Sequence, residues 1–243
     1  MALKERQKSI LEAIIQEYID TAHPVASREL VRGSRFGLSS ATIRNEMLEL
    51  DEMGYLEQPH TSAGRIPTDK GFRFYVDEIS AVRTTDGKKN SGGAARFVPL
   101  RADKIDEFLH DATKLMAELS HSFAVLGIPA RHNFEKCGFS AIMQEPEFTD
   151  EAFAREFAEL ADEFEDVFRG LLDDCREGEL PRVFIGSENP VHSARRCGVV
   201  VSRMLNQVDQ SGFIALIGPK RMDYRKNISL IGEFKQYAGK FAK

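Results

Sequence analysis

Between residues 37 and 71 the chain reads GLSSATIRNEMLELDEMGYLEQPHTSAGRIPTDKG, and within this stretch the apolar period changes once, from helical to extended. Ser39 or Ser40 supplies an N-cap, and Ile43, Met47 and Leu50 recur at three- and four-residue steps, which predicts a helix with one apolar stripe. Gly54 ends it. At about 100° per residue the stripe leaves Ala41 and Asn45 on the opposite face, with Thr42 and Arg44 on the flanks. After Gly54, Tyr55-Leu56-Glu57-Gln58 predicts a short strand, residues 59–64 a turn, and Arg65-Ile66-Pro67 a returning strand. This hairpin reads as a wing, with further helices before and after it.

Those helices are legible on both sides. Residues 3–21 carry Ile10, Leu11, Ile14, Ile15, Tyr18 and Ile19 on one broad face and stop at His23-Pro24. Ser27 caps a short second helix that takes Leu30 and Val31 into the same core, with Arg28 and Glu29 outward. Thr68-Asp69 caps a fourth, in which Phe72, Tyr75, Val76 and Ile79 follow helical spacing. Helix, helix, helix, hairpin, helix is the order of a winged helix-turn-helix domain.

In that fold the third helix enters the major groove of a duplex by its N-terminal turns while its apolar stripe grips the core. Arginine suits guanine O6 and N7, and asparagine suits adenine N6 and N7. The hairpin tip, His60-Thr61-Ser62-Ala63-Gly64-Arg65, has no acidic residue and is rich in small donors that approach phosphate oxygens closely. No Asp or Glu occurs over residues 30–45 either, where Arg32, Arg35 and Arg44 stand. The DNA-contacting set expected from this stretch is Ser39, Ser40, Thr42, Arg44 and Asn45 on the helix and His60, Thr61, Ser62 and Arg65 in the wing. Leu48 falls on the outward side without a role.

The net charge of −5 runs against a generally basic footprint. Binding therefore has to rest on local placement, because with a Debye length near 10 Å at ~0.1 M salt a cationic patch acts despite distant acids.

Residues 83–99, RTTDGKKNSGGAARFVP, have no helical or strand period and read as a flexible linker. The expected organisation is a DNA-binding domain over 1–80, a linker over 81–100 and a second domain over 101–243. Within the second, residues 103–126 read as a long helix with Ile105, Phe108, Leu109, Ala112, Leu115, Met116, Leu119, Phe123 and Leu126 on one side. That stripe packs on a sheet or forms a dimer seam. Residues 139–143 read as a strand. Thr149 caps a helix to about Cys175, in which Phe153, Phe157, Leu160, Phe164, Phe168 and Leu171 form a core stripe. Val183-Phe184-Ile185, Gly198-Val199-Val200-Val201 and Phe213-Ile214-Ala215-Leu216-Ile217 are strand-rich runs, and Pro219 opens a final helix with Ile228, Ile231 and Phe234. Helices beside an antiparallel sheet make an α+β domain. The turn at residues 218–224, with Lys220 and Arg221, either packs the last helix on the sheet or binds an anion.

The strings SSATIRNEM, GYLEQPHTSAGRIPTDKGFRFYVD and IGPKRMDY resemble the HrcA family of heat-inducible transcription repressors of bacteria. The first two cover about the first 80 residues nearly without gaps; GELPRVFIGSENP and CGVVVSR match further on. The resemblance implies a GAF-like fold for the second domain and a homodimer that binds an inverted-repeat operator upstream of chaperone genes. It also implies support from a GroE-type chaperonin. Between Phe139 and Val183 the chain is shorter than the family pattern, which there carries most of a sheet and an inserted dimerisation domain.

No catalytic constellation competes with this reading. The six histidines stand at no metal-ligand spacing, and neither G-x-S-x-G nor G-x-x-x-x-G-K-[ST] occurs. No enzyme activity, metal or cofactor is expected. Cys137, Cys175 and Cys197 are odd in number and widely spaced, which predicts reduced thiols. No stretch approaches the ~20 apolar residues that span a bilayer, and no signal-peptide pattern opens the chain, so a cytoplasmic protein is expected. The alternative function is a winged-helix regulator whose GAF-like domain binds a small ligand.

Overall fold

The computed structural model describes residues 3–33, 36–85, 105–164, 180–205 and 211–241. The chain divides into two compact units, Met1–Thr84 and Thr85–Lys243.

In the first unit, α1 (Glu5–Thr21) buries Ile10, Leu11, Ile14, Ile15 and Ile19, the face its spacing dictates. Gln7 accepts from the Lys4 backbone N–H at 3.1 Å and closes the N-terminus. In α2 (Ser27–Gly33) Leu30 is buried, but Val31 is 40% exposed, against expectation. The two residues stand 100° apart on a two-turn helix, and its narrow contact with α3 covers only one of them. Ser27 is the first residue of α2 rather than its cap.

Helix α3 (Ser40–Glu52) is capped by Ser39, whose Oγ accepts from the Thr42 N–H at 3.1 Å, and it buries Ile43, Met47 and Leu50. Gly54, at φ +75°, ends the turn that follows. The wing strands β1 (Leu56–Glu57) and β2 (Ile66–Pro67) pair antiparallel, with Leu56 opposite Pro67. A third partner was not legible in the sequence: Val25 and Arg65 exchange two backbone hydrogen bonds of 2.9 Å and hold the wing to the start of α2. Gly64 permits this approach, since a Cβ there would lie 2.3 Å from the Val25 carbonyl oxygen. Helix α4 (Asp69–Thr85) buries Phe72, Tyr75, Val76 and Ile79 against the same core. It runs through residues 81–85, so the linker expected over 81–100 begins inside a helix; residues 86–100 lie outside the described residues.

In the second unit, α5 (Ile105–Ser120) stops six residues before the expected end at 126. His121 takes φ +54°, and residues expected to continue the helix form β3 (Phe123–Ile128). All six residues of β3 are buried, so both faces of the strand are apolar and its pattern mimics a helix. The sheet runs β4-β3-β7-β6-β5, antiparallel throughout, with β4 (Asn133–Cys137), β5 (Arg182–Ile185), β6 (Cys197–Leu205) and β7 (Ser211–Pro219).

Residues expected to form a strand over 139–143 instead make the short helix α6 (Phe139–Ile142), because Gly138, at φ +95°, breaks the extended path after β4. Helix α7 (Glu151–Asp162) is capped by Asp150, not Thr149, whose hydroxyl donates to the Pro146 carbonyl. Its Phe153, Phe157 and Leu160, with Phe164 beyond, pack in one cluster with Phe123, Val125, Val199 and Phe213 of the sheet. Phe168, Leu171 and Cys175 lie outside the described residues.

By alternation along the strands, the opposite face carries Ala124, Leu126, Ile214 and Leu216. Helices α5 and α8 (Tyr224–Phe241) pack on the sheet and on each other, with Phe108 and Phe234 stacked at 6.3 Å between ring centres. The α5 stripe is thus used within the chain. Pro219 closes β7 rather than opening α8, which starts five residues later. The whole is α+β: a winged helix-turn-helix unit followed by a unit whose helices flank a five-stranded antiparallel sheet.

Candidate nucleic-acid interface

The outward face of α3 is set by what the inward face buries. With Ile43, Glu46, Met47 and Leu50 inside, Ala41, Arg44, Asn45 and Leu48 form one exposed stripe at steps of three and four residues. Glu49 and Glu52 follow at the C-terminal end, both exposed. A polyanion is therefore best met by the first two turns.

The three hydroxyl residues expected to read bases are tied locally. Ser39 caps the helix. Thr42 Oγ1 lies 2.9 Å from Ser39 Oγ, and Ser40 Oγ lies 3.0 Å from Ser27 Oγ, a contact that joins α2 to α3. Arg44 and Asn45 are exposed as expected.

The wing tip is held from within: Gln58 Nε2 donates to the carbonyls of Thr61 and Ala63, each at 3.0 Å. This leaves His60, Thr61 and Ser62 exposed, with His60 Nδ1 3.2 Å from Ser62 Oγ. Arg65 departs from the expectation. Its side chain is only 13% exposed, and Nε lies 2.8 Å from Asp51 Oδ2 at the end of α3. Backbone pairing to Val25 fixes the residue inside the wing, so its guanidinium braces the hairpin instead of projecting from the tip.

Between α3 and the wing lies a cleft of about 480 Å³, reached by Arg28, Arg44, Leu48, Thr61 and Ser62. Its lining includes no Asp or Glu. Arg28 and Arg44 have no ion-pair partner among the described residues, whereas Arg65 is neutralised by Asp51. The negative total charge is thus kept out of this cleft. Sequence reasoning placed Arg28 on the surface but missed its share in the cleft, which depends on Val25 bringing the wing across.

The turn over residues 218–224 has no spare cation at Arg221. Its Nε lies 2.6 Å from Glu147 Oε1 and one terminal nitrogen 2.5 Å from Glu145 Oε2. Burial opposes its charge, but these carboxylates hold its pKa above the ordinary value. Arg221 is thus neither the solvated cation that a purely packing turn would carry nor a charge left over for an anion, since its side chain is only 11% exposed and is held by two carboxylates.

Residues 130–228 match the family described as HrcA protein C terminal domain. The chain is similar to the heat-inducible transcription repressor HrcA of Geobacter sulfurreducens, 29% identical over 326 positions that include 94% of this chain and 95% of that protein. It is equally similar to the repressor of the same name from Acetivibrio thermocellus, at 29% identity with 97% and 95% covered. Since 326 aligned positions exceed the 243 residues here, at least 83 of them hold residues only in the Geobacter protein. A shorter match, to the HrcA of a Thermoanaerobacter species, reaches 46% identity over 129 residues, 53% of this chain and 37% of that one. A crystal structure of a hypothetical protein shares the fold, with a TM-score of 0.81 at 20% identity and 99% of each chain covered.

Proposed function

We propose that the chain, similar along nearly its whole length to heat-inducible transcription repressors named HrcA, is a shortened member of that family and represses transcription by docking α3 and its wing on duplex DNA. The observation that carries this reading is the cleft lined by no Asp or Glu, with Arg28 and Arg44, which have no ion-pair partner among the described residues, on one side and the hydroxyl-rich wing tip on the other. A DNA strand separating major from minor groove fits between a helix in one and a hairpin in the other. Arg44 and Asn45 read base edges; Arg28, His60, Thr61 and Ser62 position the backbone.

Two copies act together on an inverted repeat upstream of chaperone genes, since a twofold operator mirrors a twofold protein. The second domain sets the spacing of the two winged domains. Heat removes the competent dimer, and a GroE-type chaperonin restores it in the cytoplasm. No helix among the described residues is long and apolar enough to cross a membrane.

Selection of duplexes from a random library by the full chain tests this. The expected product is an inverted repeat with half-sites one helical turn, or a multiple of it, apart. Replacing Arg44 or Asn45 by Ala relaxes selection at one base position per half-site, at about 1–3 kcal/mol. A uniform loss across all sequences would refute the groove assignment.

A further inference from the structure

Leu48 is 45% exposed in the middle of the outward stripe of α3. It lies two helical turns from Ala41 and one from Arg44 and Asn45, on the side of the helix opposite Ile43 and Leu50. It is thus not a core residue displaced outward. Helix formation does not require it, because Gln, Lys or Glu would serve there as well. It also reaches the mouth of the cleft beside Arg44, and acids begin at the next residue, Glu49. Leu48 is therefore the last position of the stripe before the surface turns acidic.

A major groove offers hydrogen-bonding edges and one kind of apolar group, the 5-methyl of thymine. An arginine and an asparagine that satisfy polar edges leave an adjacent leucine only that group to cover. We propose that Leu48 determines specificity by packing on the 5-methyl group of a thymine in each half-site, next to the base pair read by Arg44 or Asn45. This rests on the proposed docking of α3 and adds the base that its apolar position selects.

The test uses the full chain and the duplex it selects, with each thymine replaced in turn by deoxyuridine, which removes only the methyl group. One replacement per half-site is expected to weaken binding about fourfold, the value of one buried methyl group. Leu48→Ala loses this discrimination while still selecting the bases that depend on Arg44; Leu48→Met keeps it, and so does Arg44→Ala. Because Leu48 is exposed, these variants keep the core intact. A selected site that is indifferent to every thymine methyl, or a Leu48→Ala variant as sensitive as the parent, overturns the contact and leaves Leu48 to a protein surface. Failure to select any sequence overturns the docking of α3 itself.

Discussion

Arg65 in the wing and Asp51 near the end of α3 face each other at 2.8 Å, with side chains 13% and 33% exposed. The pair crosses from hairpin to helix, and the exchange of backbone bonds between Arg65 and Val25 adds a second tie to α2. The wing is thus fixed to the two helices beside which it works. Arg65→Ala and Asp51→Ala are each expected to lower stability by about 1–3 kcal/mol, because each leaves a largely desolvated partner. DNA affinity falls in parallel for both. A phosphate-contacting Arg65 predicts the opposite for Asp51→Ala, since removing the acid would free the cation and strengthen binding. Thermal melting with DNA titration of both variants separates the two cases.

Ser39 caps α3, the helix proposed to read bases. Its Oγ accepts the Thr42 N–H, and loss of such a cap costs about 1 kcal/mol. Ser39→Ala is expected to speed amide exchange in the first turn of α3 and to weaken binding equally for all duplexes. A change in the selected sequence would instead make Ser39 a base contact. Ser40→Ala loosens the link to Ser27 and follows the same rule.

Glu46 sits on the buried face of α3 and pairs with Arg6 of α1, while its second oxygen has no hydrogen-bond partner among the described residues. The carboxylate side chain is 6% exposed and the guanidinium 52%, so the two ends of the pair are not equivalent. Removing Arg6 strands a desolvated charge, whereas a neutral amide at 46 needs no counter-charge. Arg6→Ala is expected to cost about 2–4 kcal/mol and Glu46→Gln less than about 1 kcal/mol. Urea unfolding followed by circular dichroism gives both values; equal costs would mean that Glu46 is not committed to Arg6.

The difference between what was legible in the chain and what was not follows the range of the interactions. Helices α1, α3 and α4 depend on caps and on apolar residues three or four apart, and both are visible locally. The Val25–Arg65 bridge joins residues 40 positions apart, and no local pattern announces it. In the second unit, FAVLGI over residues 123–128 is buried on both faces, so it lacks the alternation that marks a half-buried strand and extends the α5 stripe without a visible break. Side-chain chemistry had the same limit at the interface. Ser39, Ser40 and Arg65 are the right residue types to meet DNA, but each also has a local partner, Thr42, Ser27 and Asp51 respectively, that the sequence does not announce.

Cys197 opens β6 among the phenylalanines of the second unit and is fully buried. Burial, with a smaller contribution from Glu156, pushes its thiol from 9.0 up to about 12. The folded chain therefore keeps a proton that the unfolded chain begins to lose near pH 9. Above that pH the folded state binds more protons, so stability falls as pH rises, until the folded thiol itself ionises near 12. By pH 10 this one group is expected to have cost about 1 kcal/mol relative to pH 8. Other groups titrate in the same range, so the measurement is the difference between the parent and Cys197→Ala in urea unfolding at pH 8, 9 and 10. That difference should shift by about 1 kcal/mol in favour of the variant; a constant difference would mean that the thiol meets water in the native state. Peptide-level mass spectrometry after thiol labelling at pH 8 gives an independent check. Cys197 is expected to label only when the domain unfolds, while half-buried Cys137 labels in the native chain.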